Sequence, residues 1–90
     1  MMLTIENAFV LKGEDGSVVC AINAEQFELL DNWLGACIYW NPDSGAYKYA
    51  NRVKAIRAVR QMLGLGLRDA KDFTDLMFER HVEYMEDMMR

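Results

Sequence analysis

The sequence predicts an α+β domain: an N-terminal β-hairpin, then three helices, with one short run between the first two helices that can serve as a third strand. Three observations carry this prediction. Apolar and polar residues alternate over the first 22 positions, and from residue 24 apolar residues recur at helical spacing. The change of period coincides with a helix-capping residue, Asn23. The lone proline and the glycine pairs at 13/16 and 64/66 fall where one pattern ends and the next begins. Apolar residues make up 52% of the 90, enough for one core, so 1–90 is expected to form a single domain.

Leu3, Ile5, Phe9 and Leu11 alternate with Thr4, Glu6, Ala8 and Lys12, which predicts a strand over 3–12 broken only by Asn7. Gly13-Glu14-Asp15-Gly16 supplies a turn, and the β-branched run from Ser17 to Ile22 closes a hairpin. Asn23 can cap the next segment, with Gln26 at the third helical position as in a capping box. Phe27, Leu30, Trp33 or Leu34, Cys37 and Ile38 then keep helical spacing, so the first helix is expected over 24–40. Pro42 stops it, because the residue before a proline avoids helical geometry. Tyr47-Lys48-Tyr49 alternates briefly, as a third strand would.

Asn51 can cap a second helix, with Val53, Ile56, Val59 and Leu63 on one face and Arg52, Arg57 and Arg60 off it. Gly64 stands where a left-handed residue ends a helix. The third helix starts near Leu67, and nothing stops it before Arg90. Its first apolar stripe is Ala70, Phe73, Met77, Tyr84 and Met88; a second, beside it, is Phe78, Val82, Met85 and Met89. Together they form an arc wider than one packed face requires. That arc predicts a homodimer through residues 77–89, with Phe78, Val82, Met85 and Met89 at its interface.

The formal net charge is −4, but the charges are segregated. Residues 1–50 carry −5 and residues 72–90 carry −4, whereas 51–71 hold Arg52, Lys54, Arg57, Arg60, Arg68 and Lys71 against Asp69 alone, a local +5. The basic block sits around the Gly64-Leu65-Gly66 connector. Six cations could meet nucleic-acid phosphates, but the acidic flanks repel a polyanion. An acidic protein surface suits Arg57, Arg60 and Lys71 better. Pairing within the chain, such as Arg68 with Asp72 at i, i+4, is the plain alternative. The two glycines could cradle a phosphate, but no Walker or dinucleotide pattern surrounds them. The reading preferred for them is structural, Gly64 as a helix terminus and Gly66 as a point of close packing.

The string from Asn51 to Arg60, followed by Gly64-Leu65-Gly66-Leu67-Arg68-Asp69-Ala70-Lys71-Asp72, closely resembles the helical hairpin of the bacterial ribosomal stalk protein's C-terminal domain, the L seven/twelve family. The likeness covers residues 51–75 without a gap. It implies helices on one face of a small antiparallel sheet, and a surface that recruits translational GTPases, the elongation and initiation factors. By resemblance the contact positions are Val53, Ile56, Arg57, Arg60, Gly66 and Lys71. In the family a strand, a helix and a strand follow the hairpin, whereas here they would precede it, as 17–22, 24–40 and 45–49. The order would then be a circular permutation of the family fold.

Other chemistry finds little support in the residues. His81 is the single histidine, so neither a nucleophilic triad nor a metal cluster assembles around it. Cys20 and Cys37 read as buried free thiols. Trp33, Tyr39, Trp40, Tyr47 and Tyr49 cluster around the proline loop and read mainly as core. No cofactor or metal is expected. No apolar run approaches the roughly 20 residues of a membrane span, and MMLTIENAF does not read as a secretory signal, so the expected compartment is the cytoplasm. The functional expectation is a non-enzymatic protein-binding domain with a stalk-like surface for a translational GTPase. The alternative is a small phage-type or accessory inhibitory protein that keeps the hairpin for packing and binds an unrelated host protein.

Overall fold

The computed structural model describes residues 4–6 and 10–89. Their order is β1 (Thr4–Glu6), β2 (Val10–Lys12), β3 (Val18–Ala21), α1 (Ala24–Ala36), β4 (Ile38–Asn41), β5 (Ala46–Tyr49), α2 (Arg52–Leu63) and α3 (Leu67–Met88). The α+β class, the N-terminal hairpin and the three helices are those the sequence predicts. The strand expected over 3–12 is instead two strands, β1 and β2, paired antiparallel with Ile5 opposite Leu11. Leu3 and residues 7–9, among them Asn7, where the alternation breaks, lie outside the described residues. β2 also pairs with β3, through a turn in which Gly16 takes a φ of 84° and Asp15 accepts hydrogen bonds from the Ser17 amide and hydroxyl.

The capping box that opens α1 is present. The Gln26 amide donates to Asn23 Oδ1 at 2.7 Å, and the Asn23 amide donates back to Gln26 Oε1 at 3.3 Å. The helix ends at Ala36, not near Trp40. Ile38 to Asn41 form β4, which pairs antiparallel with β5, Trp40 opposite Tyr47 and Ile38 opposite Tyr49. Asn41 holds the turn, its side chain accepting from the Asp43 amide at 2.9 Å and its carbonyl from the Gly45 amide at 2.9 Å. Aromatic and β-branched residues facing one another across strands stabilise this pairing over a further helical turn.

β5 therefore makes its sheet contact with β4. The described strands form two sheets, β1-β2-β3 and β4-β5. The permuted stalk topology requires 17–22 and 45–49 in one sheet, so that arrangement is not adopted. The residues expected to extend α1 supply β5 with a nearer partner.

Asn51 caps α2 by accepting from the Lys54 amide at 3.0 Å, and Gly64 closes it in the left-handed region at φ 68°. A Cβ on Gly64 would meet no atom within 4 Å, so only the backbone conformation disfavours a side chain there. Gly64→Val is expected to cost about 1–3 kcal/mol, read as a lowered Tm in thermal melts. A melt equal to the parent's would refute that reading of the residue. Gly66 behaves differently. Its φ is −67°, and an added Cβ would again meet nothing within 4 Å, so close packing is not what the residue provides.

The core joins Leu11 and Ile22 of the first sheet's region to Leu30 and Leu34 of α1, Ala55, Ile56 and Val59 of α2, and Ala70, Phe73 and Met77 of α3. Val53, expected on the buried face of α2, is 70% exposed, and Ala55 takes the inward place. At 100° per residue, Val53 lies roughly 100° around the helix from the centre of the buried face. A small alanine there suits close approach by a neighbouring helix. Cys20 and Cys37 are free thiols but half-buried, not fully buried. Burial raises the Cys20 thiol pKa above its ordinary value.

α3 carries both of its expected stripes, but they meet different surroundings. Ala70, Phe73 and Met77 of the first are buried, whereas Tyr84 and Met88 are 63% and 68% exposed. The second stripe is partly covered from within the chain. Phe78 packs on Tyr49 with ring centroids 5.1 Å apart, and the Tyr47 hydroxyl lies 3.5 Å from Met89 Sδ. Phe78, Val82 and Met85 are half-buried, and Met89 remains exposed. The Tyr49 hydroxyl, its pKa raised chiefly by burial, donates to the Thr74 carbonyl at 2.8 Å.

Candidate functional site

The outer face of α2 is the most distinctive surface of the molecule. The helix, RVKAIRAVRQML, contains no acidic residue. Lys54, Arg57 and Arg60 are all exposed, and none makes an ion pair among the described residues. Arg52 alone of the helix is neutralised, by a bidentate contact from Nη2 to both Asp75 carboxylate oxygens at 2.9 Å. The Arg68–Asp72 pair expected from spacing is not among the ion pairs of the described residues, and Asp72 Oδ2 is buried without a hydrogen-bond partner. Helical geometry explains why the cations stay free. With Ala55, Ile56 and Val59 turned inward, Lys54, Arg57 and Gln61 are projected together on the far side.

Two shallow grooves run along this face. One, of about 410 Å³, is lined by Trp33 of α1, by Asn51, the cap of α2, and by Val53, Lys54, Arg57, Ala58 and Gln61 of α2. The other, of about 400 Å³, continues past Arg57, Arg60 and Gln61 to Gly64 and Leu65.

The contact positions implied by the stalk resemblance divide accordingly. Val53, Arg57 and Arg60 line these grooves. Gly66 and Lys71 are exposed, at and just beyond the start of α3. Ile56 is 8% exposed and belongs to the core, so it offers little to a partner. The residue pattern alone does not place Trp33 at this surface. Its heptad-like spacing with Leu30 and Leu34 makes it a core candidate, and its position beside α2 depends on how the helices cross. The aromatic cluster as a whole is more exposed than expected, with Tyr39 at 44% and Trp40 at 50%.

His81 sits elsewhere, between α1 and α3. Its Nε2 lies 3.0 Å from both the Asp31 carbonyl oxygen and Asp31 Oδ1. This contact ties the two helices together. No group of three or more metal-ligating side chains occurs among the described residues. No helix among them is long and apolar enough to cross a membrane.

Fold and surface together define an α+β domain built around a helical hairpin with a basic outer face. Comparison with protein-family models, curated proteins and solved structures finds no match for this chain.

Proposed function

We propose that the chain is a non-enzymatic protein-binding domain that presents the outer face of α2 to an acidic protein surface. The observation that carries this reading is the set of unpaired, exposed cations on a helix with no acidic residue, beside apolar side chains that are also exposed. Phosphate-only recognition would not need Val53 or Trp33. The resemblance over 51–75 makes a translational GTPase the first partner to test, in a bacterial cytoplasm, with the chain either recruiting the factor or competing for it. An accessory or phage-type inhibitor of another host protein would use the same face.

Arg57→Glu combined with Arg60→Glu is the test. Exposed helix charges contribute little to stability, so the double variant should keep the parent's circular dichroism and melt. Capture of a partner from bacterial lysate should fall at least tenfold. Undiminished capture by the folded variant would sink the basic-face reading. Elongation or initiation factors in the parent's eluate favour the stalk-like role, another protein favours the inhibitor, and nuclease-sensitive recovery favours RNA.

A second reading, self-association through 77–89, draws on the exposed end of α3. Tyr84 and Met88, where the core-facing stripe of α3 continues beyond its buried part, are 63% and 68% exposed, and Met89, just past the helix, is 80% exposed. Glu79, Glu83, Glu86 and Asp87 would flank a twofold seam, so salt should strengthen it by screening. Light scattering across a concentration series should show mass rising toward twice the monomer. A constant monomer mass in low and high salt removes the dimer.

A further inference from the structure

We propose that the groove between Trp33 and α2 seats one large apolar side chain of an acidic protein segment, and that Trp33 is a specificity-determining residue contributed from outside the helical hairpin. The inference rests on the basic-face reading and adds to it the chemistry of the partner.

The groove has two kinds of lining. Trp33, 37% exposed, and Val53, 70% exposed, offer apolar surface from two different helices, and Ala58 of α2 also lines the groove. Lys54, Arg57 and Gln61 lie on that same α2 side. A tryptophan and an arginine lining one concavity are the residue types that dominate binding energy at interfaces. A volume of about 410 Å³ leaves room for one large apolar side chain.

The charges decide what surrounds the anchor. Lys54 and Arg57 have no carboxylate partner among the described residues, and Arg60 extends the positive face into the adjoining groove. An occupant bearing carboxylates on both sides of its apolar residue satisfies these cations while the anchor removes Trp33 and Val53 from water. Lys54 and Gln61 are seven residues apart, or about 10 Å along the helix, so a short segment spans the site. A nucleic acid would meet the same cations but has no side chain for the groove, and the chain's acidic remainder repels it.

The experiment uses the full chain with Trp40→Phe, which leaves Trp33 as the sole indole of the two in the sequence. The probe is a synthetic peptide with one phenylalanine among glutamates. Its controls are the same peptide with alanine for phenylalanine, and with lysine for glutamate. The acidic anchored peptide should shift Trp33 emission to the blue and protect it from acrylamide, and both controls should bind at least tenfold more weakly. Val53→Asp, at an exposed position that does not threaten folding, should weaken the anchored peptide by a similar factor through repulsion of its carboxylates. Trp33→Ala, checked for folding by circular dichroism, should lower lysate capture.

Equal binding of the phenylalanine and alanine peptides overturns the proposal, since charge alone would then account for recognition. So does an emission shift with protein concentration alone, which would put a second copy's acidic α3 end in the groove. If Arg57→Glu with Arg60→Glu abolishes capture while Trp33→Ala and Val53→Asp leave it intact, the groove fails and the basic face stands. If none of these variants affects capture, both fail.

Discussion

Phe73→Ala is expected to destabilise the domain by about 3–5 kcal/mol, the usual loss when a buried phenylalanine is truncated and its neighbours relax only partly. Phe73 is wholly buried and is the largest of the fully buried side chains among the described residues. It lies on α3 within the cluster that includes Leu30 and Leu34 of α1 and Ile56 and Val59 of α2, so its removal opens a void where all three helices contribute. Small domains have roughly 5–15 kcal/mol of total stability, so the variant should be close to unfolding at ordinary temperature. Denaturant titration gives the measurement, as a fall in midpoint at an unchanged slope. A loss under 1 kcal/mol would show that the site collapses freely and that the core does not converge on this ring.

Gly35→Ala should also destabilise, against the usual sign for a helix interior. Alanine favours a helix over glycine by about 1 kcal/mol. Gly35 lies within α1, yet a Cβ there would stand 2.6 Å from His81 Cε1 and 3.0 Å from Nδ1. The imidazole cannot simply swing away, because its Nε2 is held 3.0 Å from Asp31 on the same helix. Overpacking of this kind costs about 1–3 kcal/mol, which outweighs the propensity gain. The double variant Gly35→Ala with His81→Ala removes the clash and should recover part of the loss, a positive coupling measurable in a double-mutant cycle. A single Gly35→Ala variant more stable than the parent would mean that α1 and α3 can separate at this point without penalty.

The features that were legible in the sequence are those whose causes are local. Asn23 with Gln26, Asn51 before α2 and Gly64 after it all act on amides or dihedrals within a few residues, and each does what its chemistry requires. The basic block was legible for the same reason, since helical spacing alone separates Lys54 and Arg57 from Ile56 and Val59. Residues 38–41 were not. Ile38 continues the helical spacing of Leu34 and also suits a strand, and the choice falls to a partner, β5, on the far side of the Pro42 turn. Once β4 and β5 pair, Tyr47 and Tyr49 reach α3, and a stripe that looked free for a dimer becomes half-covered.

By itself the sequence determined the class of the fold, the helix N-caps, the Gly64 terminus of α2 and the clustering of cations on one segment, because those follow from hydrogen bonds and periodicity along the chain. Only the tertiary structure decided which way α2 is turned, placing Ala55 inside and Val53 outside, and only it brought Trp33 alongside the basic face. Both depend on how closely α1, α2 and α3 approach one another. That is set by side-chain volumes meeting across helices, at Gly35 against His81 and around Phe73, and no window along one helix contains both sides of such a contact.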